Sequence, residues 1–208
     1  MNIYILRHGE TVLNANGVLQ GRLNESLNQN GRNLAAMTGK EMKGIHFDYC
    51  ISSPLNRAKE TAEIILRESG NDISYSIDDR VIEVDFGDME GKKITDMEDG
   101  LKFYFDAFHF AGFPNGETIQ DVCSRTQEFL KELIAKDDGK TYLISTHGCA
   151  MRGMINYLSE NPADYWFGHA PYNCSFTIVE AEGGNAHITD IDKVYYDTSL
   201  IVDHFKKW

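Results

Sequence analysis

The sequence predicts an α/β fold: a mostly parallel central sheet with helices on both faces. Three observations carry that expectation. Short apolar runs of strand length alternate with helical patterns along the chain. Two of those runs, Ile3-Tyr4-Ile5-Leu6 and Tyr142-Leu143-Ile144, are continuously apolar, as strands covered on both faces are. Both then stop on similar polar punctuation, Arg7-His8-Gly9 in one case and Ser145-Thr146-His147-Gly148 in the other. With 208 residues and 42% hydrophobic side chains, the chain can bury one substantial core, so residues 1–208 are expected to form a single domain.

The elements follow in order. After the first strand, Asn28 to Lys43 carries Leu34, Met37 and Met42 near helical spacing and closes on Gly44. Phe47 to Ile51 reads as a strand. Ser53-Pro54 predicts a helix start, serine at the cap and proline at the first position, and Gly70 marks its end. Ile73, Tyr75 and Ile77 alternate with polar residues as in a short half-buried strand. Thr118, with Asp121 three residues on, opens a long helix whose Val122, Phe129, Leu130, Leu133 and Ile134 form one apolar stripe. The strand at 141–146 comes next, then a helix over Gly148–Leu158. Cys174–Ala181 and Ala186–Ile191 predict a hairpin across Gly183-Gly184-Asn185, and the tail to Trp208 has no clear pattern.

Composition narrows the function. Twenty basic against 32 acidic side chains leave a net charge of -12, which argues against nucleic acid or an anionic membrane as partner, because both need a basic footprint. An anionic substrate must then be held by local cations. Cys50, Cys123, Cys149 and Cys174 are scattered without a CxxC pair and read as reduced core thiols of a cytoplasmic protein. The chain starts directly on a strand, with no basic n-region and no long apolar run, so neither a signal peptide nor a membrane span is expected.

Ligands of open α/β sheets bind beyond the carboxyl ends of the strands. If the first strand and the 141–146 strand are neighbours, His8 and His147 meet there. Histidine suits nucleophilic and proton-transfer work near neutral pH. Arg7 arrives with His8, and Arg57 lies in the first turn of the helix after the second strand, where backbone N–H groups already favour an anion. Alone, Arg57 would read as a surface cation. Together with Arg7 and the two histidines it can surround a phosphoryl group without a metal, since guanidinium groups bind such oxygens bidentately. Glu10 and Thr11 are expected to start the next turn, Arg80 to form an ion pair, and Arg152 to lie on the helix after His147. His46, His109, His169, His187 and His204 show no metal-ligand spacing, so no metal site is expected, and the serines lack a GxSxG setting.

These residues carry a family resemblance. Arg7-His8-Gly9-Glu10-Thr11, with Asn14 and Gly21 after it, resembles the opening motif of the histidine phosphatase superfamily, the phosphoglycerate mutase-like enzymes. Ser52 to Ala62, Glu83 to Gly91, Asn115 to Thr118, Ser145 to Gly148 and Pro171 to Ser175 are similar to its later blocks, in order. The resemblance covers nearly the whole chain.

It implies the family's α/β fold, with His8 as the phosphate-accepting nucleophile and Glu83 as the proton donor. Arg7, Arg57 and His147 would hold the phosphoryl group, and Asn14 would be a further phosphate or orienting contact, or simply a residue closing a turn. The implied activity is metal-independent hydrolysis of a small-molecule phosphate ester, with no cofactor. A cofactor-dependent phosphoglycerate mutase is the alternative, and a decayed phosphate-ester-binding or scaffold protein a third. A mutase needs extra cations for a second acidic group. Compared with the family's mutases, Gly91–Asn115 lacks a longer basic insertion, and Cys149 stands where an asparagine commonly follows His-Gly. That segment carries Phe103, Tyr104, Phe105, Phe108, His109, Phe110 and Phe113 beside Lys92, Lys93 and Lys102, and its aromatics are expected either in the core or at the pocket. The physiological ester and the oligomeric state are not legible.

Overall fold

Strand β1 (Asn2–Arg7) runs through the middle of a six-stranded sheet and buries Ile3, Ile5 and Leu6 completely. Burying each such side chain contributes about 1.5–3 kcal/mol relative to leaving it in water. The computed structural model describes residues 1–93, 96, 106–107 and 109–201. Lys102, Phe103, Tyr104, Phe105, Phe108 and His204, all singled out in the sequence, lie outside them.

The remaining strands are β2 (Tyr49–Ser52), β3 (Tyr75–Ile77), β4 (Thr141–Thr146), β5 (Phe176–Glu182) and β6 (Asn185–Lys193). Their spatial order is β3-β2-β4-β1-β5-β6. The first four are mutually parallel; β5 runs antiparallel to β1, and β6 antiparallel to β5. The β5–β6 turn has Gly183 and Gly184 at φ +60° and +78°, the pair of positive angles that a two-residue hairpin of matching twist requires.

Helices follow the strands: α1 (Val12–Ala15), α2 (Gln29–Glu41), α3 (Asn56–Ser69), α4 (Ile119–Ile134) and α5 (Gly148–Ile155), the last continued by a 3-10 turn over Asn156–Leu158. Alternate side chains of the central strands divide between two cores. Leu6 and Leu143 join Leu34, Ala62 and Ile65 of α2 and α3, whereas Ile3, Ile5 and Ile144 join Leu130, Leu133, Met151 and Met154 of α4 and α5. Helices therefore cover both faces, as the continuous apolar runs predict. The expected capping box at Thr118 and Asp121 is present, and all four cysteines are buried and free. No helix among the described residues is long and apolar enough to cross a membrane.

Several boundaries differ from the sequence reading; the hairpin strands, for instance, run Phe176–Glu182 and Asn185–Lys193. The first long helix spans Gln29–Glu41, and β2 is shifted to Tyr49–Ser52. Helix α3 begins at Asn56, with Leu55 at its N-cap and no side-chain cap bond, rather than at Ser53-Pro54. Ser53 is engaged elsewhere: its hydroxyl lies 2.7 Å from Nε2 of His147.

Candidate active site

The β1–β4 register pairs Leu6 with Ser145 and Arg7 with Thr146, so the next residues, His8 and His147, emerge side by side. Their ring centroids are 5.1 Å apart. The His8 amide donates to Thr146 O at 3.0 Å, which extends the ladder by one bond and fixes the exit of β1. Gly9 then passes against α2. A β-carbon on Gly9 would stand 2.8 Å from Gly31 O, and one on Gly31 2.2 Å from Glu10 O, so both positions need glycine for this approach.

Both ring nitrogens of His8 are engaged. Nδ1 lies 2.6 Å from Gly9 O, and Nε2 accepts from Arg57 Nε at 3.2 Å. A guanidinium only donates, so Nε2 carries the lone pair and Nδ1 the hydrogen. Arg57, fully buried on the first turn of α3, also donates to Leu23 O and Gly21 O at 2.7 Å each. Arg7 donates through NH1 to Pro171 O, and its Nε has no hydrogen-bond partner among the described residues.

Glu83 follows a short 3-10 turn (Asp79–Val81) whose backbone is anchored from α4. Arg125 donates to Arg80 O, Ile82 O and Glu83 O, and the Thr146 hydroxyl donates to Val81 O. The Glu83 carboxyl accepts from the backbone amides of Val84 (2.9 Å), Ala150 (3.0 Å) and Cys149 (3.3 Å), which sets it over the N-terminus of α5. A β-carbon on Gly148 would stand 3.7 Å from Arg7 Nε and 3.9 Å from Glu83 Oε2, so the guanidinium and the carboxyl face each other across a glycine.

These groups open onto one cavity. Its polar wall includes Arg7, His8, Asn14, Gln20, Arg57 and Glu83; its apolar wall includes Val18, Leu19, Phe86, Trp166, Ala170 and Pro171. His147 does not line it. That residue is completely buried behind His8, and its Nδ1 has no hydrogen-bond partner among the described residues. Asn14 lines the cavity and also completes the capping box of α1 with Thr11, the turn-closing role.

Burial, reinforced by Arg57 and Arg7, holds His8 well below the ordinary imidazole pKa. His147 is held down in the same way, by burial first and then by Arg57 and His8. Desolvation pushes Arg57 down to about 10, so it keeps its charge at neutral pH. Burial also lowers Arg7, an effect that Glu83 opposes. The arrangement is thus two neutral imidazoles with one buried and one half-buried cation, Arg57 and Arg7, set to bind an anion and present it to a nitrogen lone pair.

Other expectations resolve plainly. Thr11 caps α1, and Arg80 pairs with Asp78 and Glu132. Arg152 lies on α5 but is buried, away from the cavity wall. Phe113 belongs to the core with Phe86, and Phe110 packs against that cluster. Among the described residues no group of histidine, cysteine and acidic side chains could hold a metal ion. Sequence reasoning missed Gln20, Trp166 and Ser53. Gln20 precedes the motif glycine Gly21 and accepts from the Thr11 hydroxyl at 2.9 Å, so its place beside that motif was the available signal; Trp166 had none.

Comparison with known proteins agrees with this geometry. Residues 3–193 match the model of the histidine phosphatase superfamily, branch 1. A curated relative from Salmonella arizonae, named "Probable phosphoglycerate mutase GpmB", is 30% identical over 184 residues, 86% of this chain and 85% of the relative. Among solved structures, Bacillus stearothermophilus YhfR is 32% identical with a TM-score of 0.83, over 93% of this chain and 97% of that one. A mycobacterial glucosyl-3-phosphoglycerate phosphatase, 22% identical over 92% of this chain and 98% of its own, shares the fold with a TM-score of 0.79. With the family model spanning nearly the whole chain and the two histidines side by side at the strand exits, this chain belongs to the histidine phosphatase superfamily.

Proposed function

We propose that this protein is a phosphatase that hydrolyses small-molecule phosphate monoesters through a phosphohistidine on His8, without a metal. The observation that carries the reading is the tautomer of His8: Nδ1–H on Gly9 O leaves Nε2 unprotonated, and the lone pair that Arg57 Nε holds in the free site is released to phosphorus as the guanidinium turns to the phosphoryl oxygens. Nε2 attacks phosphorus, the bond from phosphorus to the ester oxygen breaks, and the Glu83 carboxyl protonates the departing alkoxide. Water then attacks the phosphohistidine. Glu83 takes the proton from that water, the P–N bond breaks, and phosphate leaves. Arg7 and Arg57 stabilise the equatorial oxygens. Gly9 O holds the Nδ1 hydrogen throughout, and His147, whose Nε2 lies 2.7 Å from the Ser53 hydroxyl, backs the His8 ring from behind the cavity wall.

The relative's name favours a second reading, phosphoglycerate mutase. A mutase must retain a second acidic group, yet Arg7 and Arg57 are the cations among the described residues of the cavity wall, and much of the remaining wall (Val18, Leu19, Phe86, Trp166, Ala170, Pro171) is apolar. That favours hydrolysis of an ester with an uncharged alcohol. A decayed binding protein would not need both nucleophile and acid, and both stand in the cavity. The four free, buried cysteines support a cytoplasmic location. A panel of phosphate esters assayed for released phosphate, with chelator present, tests the reading. Hydrolysis of several uncharged-alcohol esters is expected, and none hydrolysed would refute it.

A further inference from the structure

Strand β6 lies at the sheet edge, and Asp192 is its single buried residue. Pairing runs from Phe176↔Lys193 to Ile178↔Asp190, so β6 carries one extra residue there, a bulge. Asp192 sits in it at φ +52°, a conformation costly for a side-chain-bearing residue. Bulges re-aim side chains. This one turns a carboxylate inward onto Arg152 of α5, which is itself completely buried.

That pair is a poor device for stability. Arg152 Nε and NH1 and Asp192 Oδ1 have no hydrogen-bond partners among the described residues, and a buried ion pair left partly unsatisfied costs more than an apolar contact of the same shape. Its other contacts point toward the cavity. Arg152 NH2 donates to His169 O at 2.8 Å, and its guanidinium lies 5.4 Å from the ring centroid of Phe167. His169 Nε2 is 3.4 Å from Asp192. Both Phe167 and His169 belong to the strap 166–171, which brings Trp166, Ala170 and Pro171 to the cavity wall and ends on the carbonyl that accepts Arg7.

We propose that Arg152 and Asp192 are positioning residues that hold the 166–171 strap and, through the Pro171 carbonyl, set the guanidinium of Arg7 for the phosphoryl group. The inference rests on the phosphatase reading of the site. It adds a charge pair that touches no substrate yet governs phosphate affinity.

The test is calorimetric titration of the whole protein with inorganic phosphate, comparing wild type with Asp192→Asn, Arg152→Lys and, as a control in the core of α4, Leu133→Ala. Asp192→Asn strips a buried cation of its counter-charge and endangers folding. Arg152→Lys is therefore the second arm: it keeps the charge pair and removes the planar donor to His169 O. Both variants should weaken phosphate binding by about tenfold, the loss of one well-placed charge-assisted contact. Leu133→Ala should lower Tm and leave affinity unchanged. In an Arg7→Ala background, Arg152→Lys should reduce kcat/KM no further, because residues acting through one group are not additive. Wild-type affinity in Arg152→Lys, or the same tenfold loss with Arg7 absent, would overturn the inference alone. Wild-type protein that neither binds phosphate nor hydrolyses any ester would overturn the reading of the site as well.

Discussion

Arg57 Nε donates to His8 Nε2 across 3.2 Å, so the proposed nucleophile is held as the neutral tautomer with its hydrogen on Nδ1. Burial and the two arginines keep it neutral well below pH 6.5. Nitrogen-15 NMR of the free protein should show the Nδ1–H tautomer for His8, unchanged as pH falls through 6.5. An imidazolium signal growing in near 6.5 would contradict the electrostatic account. Stability follows by linkage. His8 and His147 both have folded-state pKa values below their unfolded ones, so the unfolded chain takes up protons first. Their contribution is full above about pH 6.5 and is lost as pH falls toward the folded values. Denaturation midpoints measured across that range should decline with acid.

Arg57 also ties the 21–23 loop to the site through two carbonyls. Arg57→Lys keeps the charge but cannot span His8, Leu23 O and Gly21 O from one nitrogen. The variant should lose about 2 kcal/mol of stability and about 10²-fold in kcat/KM. Chemical denaturation and steady-state kinetics measure both. A variant with unaltered turnover would remove Arg57 from the phosphate-binding set.

Glu83 is assigned the acid role, and leaving-group dependence tests it. An alkyl alkoxide needs a proton as it departs, whereas nitrophenolate leaves with little help. Glu83→Gln should slow phosphorylation of His8 by alkyl esters about 10²-fold, and by nitrophenyl phosphate less, in single-turnover experiments. The amide also places an NH2 among three backbone donors, so some loss common to both substrates is expected. Equal losses would leave Glu83 only a structural part over α5 and make Asp85 or Asp88 the next acid to test.

Phosphatase and mutase separate on one substrate. Supplied with 2,3-bisphosphoglycerate, the protein should isomerise 3-phosphoglycerate far more slowly than it hydrolyses a good ester, since the described cavity wall offers no cation beyond Arg7 and Arg57. Rapid isomerisation would reverse the choice.

Much of this site was legible in the sequence because strand exits are local features. Ile3–Leu6 and Tyr142–Ile144 announce buried strands, and the residues that end them fall at the carboxyl end of the sheet. Whether His8 and His147 meet depends on register, which the sequence could pose only as a condition and β1–β4 pairing resolves. The depth of His147 behind His8, the use of Ser53 on His147 instead of as a helix cap, and Trp166 at the cavity depend on tertiary packing that no local pattern encodes. Asp192 is the clearest case. Strand alternation alone would read it from its neighbours, and the bulge that turns it inward appears only in the folded sheet.

The central claim is a phosphoryl group carried on His8, and rapid-quench labelling tests it most directly. Protein mixed with labelled phosphate ester in the presence of chelator, quenched within a turnover and mapped by peptide mass spectrometry, should carry acid-labile phosphate on His8 and none in His8→Ala. Label on any other residue, or turnover that stops with chelator and returns with a divalent metal, would contradict the account.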